Sequence, residues 1–456
     1  MAATDVSKHG MWSSQWLFVL AAAGSAVGLG NIWKFPYMAG ENGGGAFVVV
    51  YLLCVALIGI PIMMSEVLLG REGRLSPINT MRSLVLKAKG SPLWVMVGWM
   101  GVLAGFLILS YYSMIAGWAL HYIARLADGT FTGADGEFAS QAFESFKAKP
   151  WQMIFWHTLF MAMTIFIVAR GVSKGLEVAI KIFMPMLFVL MIVLVGYSMT
   201  SGGFAEGFAF MFNFDWARLS VDGVLQAMGH AFFTLSLGMG AIMAYGAYMP
   251  ANASIAKTVV AIAVLDTLVA LAAGLVIFPI VFANGLEPGQ GPGLMFVTMP
   301  LAFGQMPLGT LFGTAFFVLV SFAAITSAIS LLEPALAFLV ERYNAQRHRA
   351  AISLGVLCWV LGLGSVFSFN YWKDFHIVGE LDFFLFVDYL SANIMLPLGG
   401  FLIVLFVGWV VPRTIVVEQM SLSPGFRNIA WQLLIRVVAP VGVLVVFGYQ
   451  IYGSLG

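Results

Sequence analysis

The chain has 456 residues, of which 61% are hydrophobic and only 9% charged, with a formal net charge of +1. A soluble domain carries roughly 25% charged residues, so no water-soluble fold hides this much apolar surface, and the near-neutral balance excludes a nucleic-acid binder. What remains is an all-α integral membrane protein, partnered by the lipid bilayer, whose helices each need about 20 apolar residues to cross the hydrocarbon.

In chain order, hydropathy predicts eleven spans, at 14–36, 46–70, 94–124, 151–169, 174–197, 222–248, 257–283, 309–340, 350–369, 388–411 and 430–452. The two long connections are 125–150 and 284–308. The second carries Pro288, Gly289, Gly291, Pro292 and Gly293 and reads as a turn-rich loop outside the bilayer. With the N-terminus in the cytoplasm, sixteen of the 22 Lys and Arg residues lie inside or at the inner interface, among them Arg71, Arg74, Lys87, Arg342, Arg347 and Arg413. That bias predicts a cytoplasmic N-terminus and, for an odd number of spans, an outside C-terminus. Cys54 and Cys358 fall in apolar runs and read as packing residues, with no metal spacing. The first apolar run lacks a small-residue cleavage site, so no signal peptide is expected.

Two spans are punctuated by glycine at their centres. Span 1 reads Gly24-Ser25-Ala26-Val27-Gly28-Leu29-Gly30-Asn31, and span 6 reads Thr234-Leu235-Ser236-Leu237-Gly238-Met239-Gly240. Small residues of this kind also let helices pack closely. Interruptions at matching places in two five-span halves, flanked by hydroxyl and amide side chains, point instead to a transporter's binding site. A broken helix bares peptide groups at a depth where water cannot satisfy them; an ion and a zwitterionic solute can.

The stretch from Ala23 to Pro36, followed by Glu41-Asn42-Gly43-Gly44-Gly45-Ala46-Phe47, resembles the first-helix signature of the neurotransmitter:sodium symporter family. The resemblance continues through Pro61, Glu66, Gly70 and Arg71, then Phe232 to Gly238, and Thr326-Ser327. It is strongest to bacterial eleven-helix members of the multi-hydrophobic-amino-acid type. The resemblance implies the LeuT fold: one transporter domain over 1–456, with inverted repeats at about 14–197 and 222–411, broken helices 1 and 6, and an added helix at about 430–452. It implies sodium-coupled import of amino acids by alternating access across the cell inner (plasma) membrane.

By the same resemblance, one sodium site takes the carbonyls of Gly24, Val27 and Ala323 with the hydroxyls of Thr326 and Ser327. A second takes the Ala26 carbonyl, Asn31, Thr234, Asp266 and the substrate carboxylate. Thr326 and Ser327 also fit ordinary helix hydroxyls bonded to the preceding turn. Asp266 stands where the leucine-transporter pattern has asparagine, and a carboxylate deep in a span is costly and functional by default. Some relatives carry an acid one turn on, at the place of Ala270. Asp266 is therefore expected to supply negative charge that other members draw from chloride, so chloride is not required.

The resemblance places the substrate carboxylate at the amides of Leu29 and Gly30 with Tyr112, where Gly28 leaves room for it. The amino group falls near Ala26, Phe233, Thr234 and Ser236. The side chain falls among Ser25, Ile108, Phe233, Met239, Ser330 and Leu331, and flexible Met239 suits varied apolar partners, so hydrophobic and aromatic L-amino acids are expected. The gates implied are Lys34 with Asp388 outside, beneath which Phe233 and Tyr112 form a lid, and Trp12, Tyr248 and Glu341 inside, with Lys8 or His9 near the place of the family's missing N-terminal arginine. Glu66 is expected to cap the broken span 6, and Glu333 to do similar work in span 8. Gly175 and Pro185, with nine residues between them, mark a stretch of span 5 that the resemblance implies unwinds, or that is merely kinked. Competing readings are a symporter of another small zwitterion, such as a small amino acid or betaine-like osmolyte, and an amino-acid sensor that does not transport. No nucleophile–base cluster or phosphate loop supports an enzyme, and the sequence does not reach the oligomeric state.

Overall fold

The computed structural model describes residues 12–288, 293–421 and 425–455, with only the backbone described for Arg218, Arg427 and 449–455. Span 1 is two helices, Gln15–Ala26 and Gly30–Glu41, meeting at 51°. Spans 2 to 5 are Gly45–Gly73, Pro92–Ala127, Pro150–Ala169 and Val172–Met199. Span 6 is again two pieces, Val221–Thr234 and Ala241–Ala247. Spans 7 to 11 are Ile255–Ala283, Gly309–Tyr343, Arg347–Phe367, Phe383–Val410 and Asn428–Gly448. Among the described residues nine unbroken helices are long and apolar enough to cross a bilayer, and the bent pair of span 1 makes ten. Neither piece of span 6 is long enough alone; taken as one interrupted crossing, the pair is compatible with eleven. Expected and observed boundaries agree within five residues throughout.

Both breaks have local causes. Val27 leaves the helical region at φ −68°, ψ 103°, ending the first half of span 1. In span 6, Ser236, Gly238 and Gly240 all have positive φ, at 55°, 77° and 73°, a conformation that no right-handed helix contains. Gly238 has a second reason to be glycine: a Cβ there would lie 2.4 Å from the carbonyl oxygen of Leu396 in span 10. Glu66 of span 2, fully buried, accepts the Gly238 amide at 2.7 Å, which satisfies a donor that the break exposes.

Span 8 is the axis of the bundle. In its most apolar stretch 83% of residues are buried, against 33% in spans 4, 5 and 11, which turn Phe155, Phe166, Ile192 and Val445 outward. Such faces belong against lipid chains. The connection 284–308 departs from a simple turn-rich loop. Leu294–Gln305 forms a short apolar helix, and Phe296 on it is fully buried against Trp118, Tyr122, Phe143 and Phe317. Its apolar content reflects packing over the Tyr122 end of span 3 and the Phe317 end of span 8, a role that a twelve-residue run does not announce. Gly289, Gly291 and Pro292 lie outside the described residues. A two-stranded hairpin, His376–Val378 with Leu381–Asp382, precedes span 10.

Replacing Gly238 by alanine combines strained backbone with a backbone clash, each costing about 1–3 kcal/mol. The variant is expected to lose several degrees in unfolding temperature in detergent. Gly196→Ala, on an open face of span 5 where an added methyl meets nothing, is expected to hold or gain stability.

Candidate ion and substrate site

The two breaks face one another, and the polar side chains expected to serve them converge there. Ser327 of span 8 places its hydroxyl 3.3 Å from the Gly24 carbonyl, 3.1 Å from that of Ser25 and 3.3 Å from that of Val27. A hydroxyl has one proton, so it satisfies one carbonyl and leaves two lone-pair sets converging on the same point. A surplus of buried oxygen acceptors is the coordination that an alkali cation requires. Thr326 is turned differently. Its hydroxyl bonds back to Phe322 at 3.1 Å and to Ala323 at 3.0 Å, so Thr326 and Ala323 satisfy each other in this state. Met184 of span 5 covers this point from the side, its sulfur 3.0 Å from where a Cβ on Gly24 would be.

Facing Asn31 of span 1, Asp266 of span 7 is fully buried and gathers neutral donors only. Asn31 Nδ2 donates to its Oδ1 at 2.8 Å and to its backbone oxygen at 3.0 Å. The Thr234 hydroxyl lies 3.1 Å from both carboxylate oxygens, and Tyr51 Oη reaches Oδ2 at 3.3 Å. Among the described residues no cationic side chain pairs with Asp266. An ionised carboxylate held this deep costs several kcal/mol unless a cation joins it. Asn31 spends its Oδ1 on the Gly28 amide at 3.0 Å, bracing the break. The expected residues Asn31, Thr234 and Asp266 are thus together, whereas among the described residues no side-chain hydrogen bond reaches the Ala26 carbonyl. Two participants were not foreseen: the Ser25 carbonyl and Tyr51, a polar residue in span 2 that nothing in the local pattern distinguishes.

Between these points lies a cavity of about 20 Å³ bounded by Leu29, Gly30, Tyr112, Phe233, Met239 and Leu331, with Ser25, Ala26, Gly28, Ile108, Ser236 and Ser327 completing it. The Leu29 amide donates to Tyr112 Oη at 3.3 Å. Gly28 admits this closeness, because a Cβ there would sit 2.5 Å from Ser327 Oγ and 3.0 Å from Tyr112 Oη. The Ser25 hydroxyl lies 2.7 Å from that of Ser330 and 3.3 Å from that of Ser236.

The two ends of the bundle differ. Above Phe233 the protein is open, with one lobe of about 320 Å³ beside Trp33, Tyr111 and Trp118 and another of about 590 Å³ beside Glu41, Asp222 and His230. Lys34 and Asp388 line both lobes but form no ion pair. The Lys34 ammonium instead lies 4.8 Å over the Phe233 ring, a cation–π contact. The expected outer pair is therefore apart, and its lysine rests on the lid.

The opposite end is sealed. Trp12 is buried, packs edge-on against Tyr245 and Tyr248, and donates its amide to the Tyr248 carbonyl at 3.1 Å. Tyr248 Oη donates to Glu333 Oε1 at 3.0 Å. Glu333 does not cap a broken backbone as expected; it is fork-paired with Arg347 of span 9, at 3.0 and 2.5 Å, and Arg347 also donates to the Val168 carbonyl at 3.1 Å. Glu341 is engaged by the Ser76 amide and hydroxyl and by Asn79. Lys8 and His9 lie outside the described residues. The missed pair had a signal: an acid inside a span needs a partner, and Arg347 follows Glu333 across one short turn. The Gly175–Pro185 stretch is wound, a widened first turn at Val172–Leu176 followed by unbroken helix through Pro185. Ser13 ties its amide to Glu177 at the start of that helix, 2.8 Å.

Removing Arg347 strands a fully buried Glu333 carboxylate, at a cost of about 3–5 kcal/mol. Arg347→Ala is expected to lower the unfolding temperature sharply, and adding Glu333→Gln to recover much of the loss, as read by thermal unfolding in detergent.

Comparison with known proteins agrees with this geometry. Residues 9–134 and 137–454 match the Sodium:neurotransmitter symporter family. An uncharacterized sodium-dependent transporter of Bacillus subtilis, YhdH, is 37% identical over 439 residues, 96% of each chain. Another from Haemophilus influenzae is 32% identical over 97% of this chain and 98% of its own. The crystal structure of MhsT in complex with L-phenylalanine superposes with a TM-score of 0.89 at 45% identity, covering 96% of this chain and 98% of that one. A buried carboxylate held by neutral donors, two opened helices and this match over nearly the whole length give one conclusion: the chain belongs to the sodium:neurotransmitter symporter family, multi-pass membrane transporters coupled to sodium, and is not an enzyme.

Proposed function

We propose that this transporter is a sodium symporter that imports hydrophobic and aromatic L-amino acids by alternating access. The observation that carries the reading is Asp266, an acid at the centre of the bundle held only by neutral donors, beside two helices whose backbones are open. One sodium ion would join Asp266, Asn31, Thr234, the Ala26 carbonyl and the substrate's own carboxylate. Shared ligation makes the binding of ion and solute reciprocal. A second would sit where the Gly24 and Val27 carbonyls meet Ser327, with Ala323 and Thr326 turning in from span 8. It would staple span 1 to span 8.

The substrate carboxylate would take the Leu29 and Gly30 amides at the start of the second half of span 1, where the helix end carries partial positive charge. Tyr112 would exchange its bond from Leu29 for one to that carboxylate. The side chain would lie against Ile108, Met239 and Leu331. At about 20 Å³ the cavity holds no more than a water, so an apolar side chain enters by displacing Met239 and Leu331, which an unbranched thioether allows at little cost. The phenylalanine bound by MhsT supports an apolar substrate here.

In this cycle the state described is open at the Lys34–Asp388 end and closed at the Trp12–Tyr248 end. Solute and ions enter above Phe233. Lys34 then leaves the Phe233 ring for Asp388, and the inner seal opens as Glu333 and Arg347 part from Tyr248. Unwinding of span 5 between Gly175 and Pro185 would lift Met184 from the Gly24–Ser327 site and admit water from inside. The chain forms one transporter domain built of two inverted five-span repeats, in the plasma membrane, with its N-terminus in the cytoplasm and its C-terminus outside.

Purified protein in liposomes is expected to accumulate labelled phenylalanine, tryptophan and leucine when a sodium gradient points inward, and not with potassium. Because Asp266 supplies the negative charge, replacing external chloride by gluconate should leave uptake unchanged; its abolition would overturn that role. Asp266→Asn is expected to raise the sodium concentration for half-maximal uptake by about tenfold or more, the equivalent of at least ~1.4 kcal/mol. Ser327→Ala should weaken sodium binding while leaving the Asp266 cluster intact.

A further inference from the structure

At the sealed end a small cavity of about 30 Å³ lies apart from the central site, where the Val410 end of span 10, the helix Arg413–Met420 and the first turns of span 11 meet. That helix is held in place from behind. Gln419 on it accepts from Arg71 Nε of span 2 at 2.6 Å and donates to Glu72 at 2.8 Å. Two cations line the cavity, Arg413 and Arg436, and no carboxylate does. Arg436 crosses span 10 at Gly408, where an added Cβ would lie 3.3 Å from its Cγ. Its Nε donates to the Gly408 carbonyl at 2.8 Å, and its guanidinium stands 5.2 Å over the Trp409 ring. That uses one of its five N–H groups. Among the described residues its terminal nitrogens have no partner, and exposed Arg413 has none at all.

The neutral groups here add donors. Asn428 accepts Gln432 Nε2 on its Oδ1 at 3.0 Å, which leaves its own amide hydrogens unengaged. Trp431 is buried, and among the described residues its indole N–H has no partner. An indole N–H can only donate, and a buried donor left unpaired is costly. Donors in surplus, two of them on cations, suit an anion. Beside the cavity, Phe426, Ile429, Leu433 and Val437 make an exposed stripe at helical spacing along span 11, with Trp409 exposed next to them. A free inorganic anion would answer the donors and leave that stripe bare. The geometry points to a site for an anionic phospholipid, such as phosphatidylglycerol, whose phosphodiester charge no amine offsets. Its non-bridging oxygens take the terminal nitrogens of Arg436 and Arg413, with the Trp431 and Asn428 donors beside them, and its acyl chains lie along Ile429, Leu433 and Val437. Arginine forks match phosphate oxygens in pairs, and basic pockets between helices at the membrane interface bind such headgroups.

The test titrates the full chain, purified in detergent, with dioleoylphosphatidylglycerol or dioleoylphosphatidylcholine and reads the affinity of the first bound lipid by native mass spectrometry. The unmodified protein is expected to bind phosphatidylglycerol tighter by about tenfold or more. Arg413→Gln should weaken that binding by roughly fivefold, the effect of one arginine near an anionic headgroup, and leave phosphatidylcholine unchanged. Arg82→Gln, an exposed cation at the same end on the helix Pro77–Ala88 and outside the cavity, should change neither. Equal affinity for the two lipids on the unmodified protein would overturn the site, and that comparison needs no variant to fold. No effect of Arg413→Gln, or an equal effect of Arg82→Gln, would overturn it as well. Displacement of phosphatidylglycerol by inorganic phosphate at matching concentration would overturn the lipid assignment in favour of a free anion.

Discussion

A peptide group inside a membrane has no water to turn to, and this protein opens two helices at the depth where that matters most. The rest of the central architecture answers that constraint. Glu66 reaches from span 2 for the Gly238 amide, Asn31 folds back on Gly28, Tyr112 meets Leu29 from span 3, and Ser327 of span 8 stands against three carbonyls of span 1. Apart from Asn31, within span 1 itself, these supports come from spans 2, 3 and 8, which hold the broken halves without joining them into continuous helix. The groups left under-satisfied are of two kinds: carbonyls and a carboxylate in want of a cation, and amides in want of an anion. Under the proposed function, a zwitterion travelling with sodium would bring both.

The charge distribution follows the same logic. A lone buried acid is tolerable only if its partner is transient, which makes Asp266 different in kind from Glu333. Glu333 has a permanent cation in Arg347, fork-bonded and tied to Val168, and serves closure. Asp266 has neutral donors alone, and in the proposed cycle its partner is the exchanging ion. At the other end Lys34 rests on the Phe233 ring rather than on Asp388, so the cleft above stays wide.

Much of this was legible in the sequence. Apolar runs located the crossings to within five residues, since a bilayer imposes length as well as composition. The interruptions at 27–29 and 235–240 were legible because glycine clusters, which alone also serve close packing, stand at matching places in two five-span halves. Asp266 was legible because acids are rare in hydrocarbon. The pairing of Glu333 with Arg347 was not read, since an acid announces the need for a partner and not which one. The helix Leu294–Gln305 was read as loop because it is too short to cross and is buried by neighbours far off in sequence. Thr326 turning back to its own helix, and Lys34 standing away from Asp388, are properties of one conformational state, and sequence carries the sum of all states at once.

The sulfur of Met184 against Gly24 separates two quantities that usually travel together. Spans 1 and 8 supply the oxygens for the proposed ion and so set how strongly it is held. Span 5, which contributes none of those oxygens, shields it. Tightness and residence time thus fall under different helices, and the speed of each turn of the cycle can be tuned in span 5 without altering what the transporter prefers to carry.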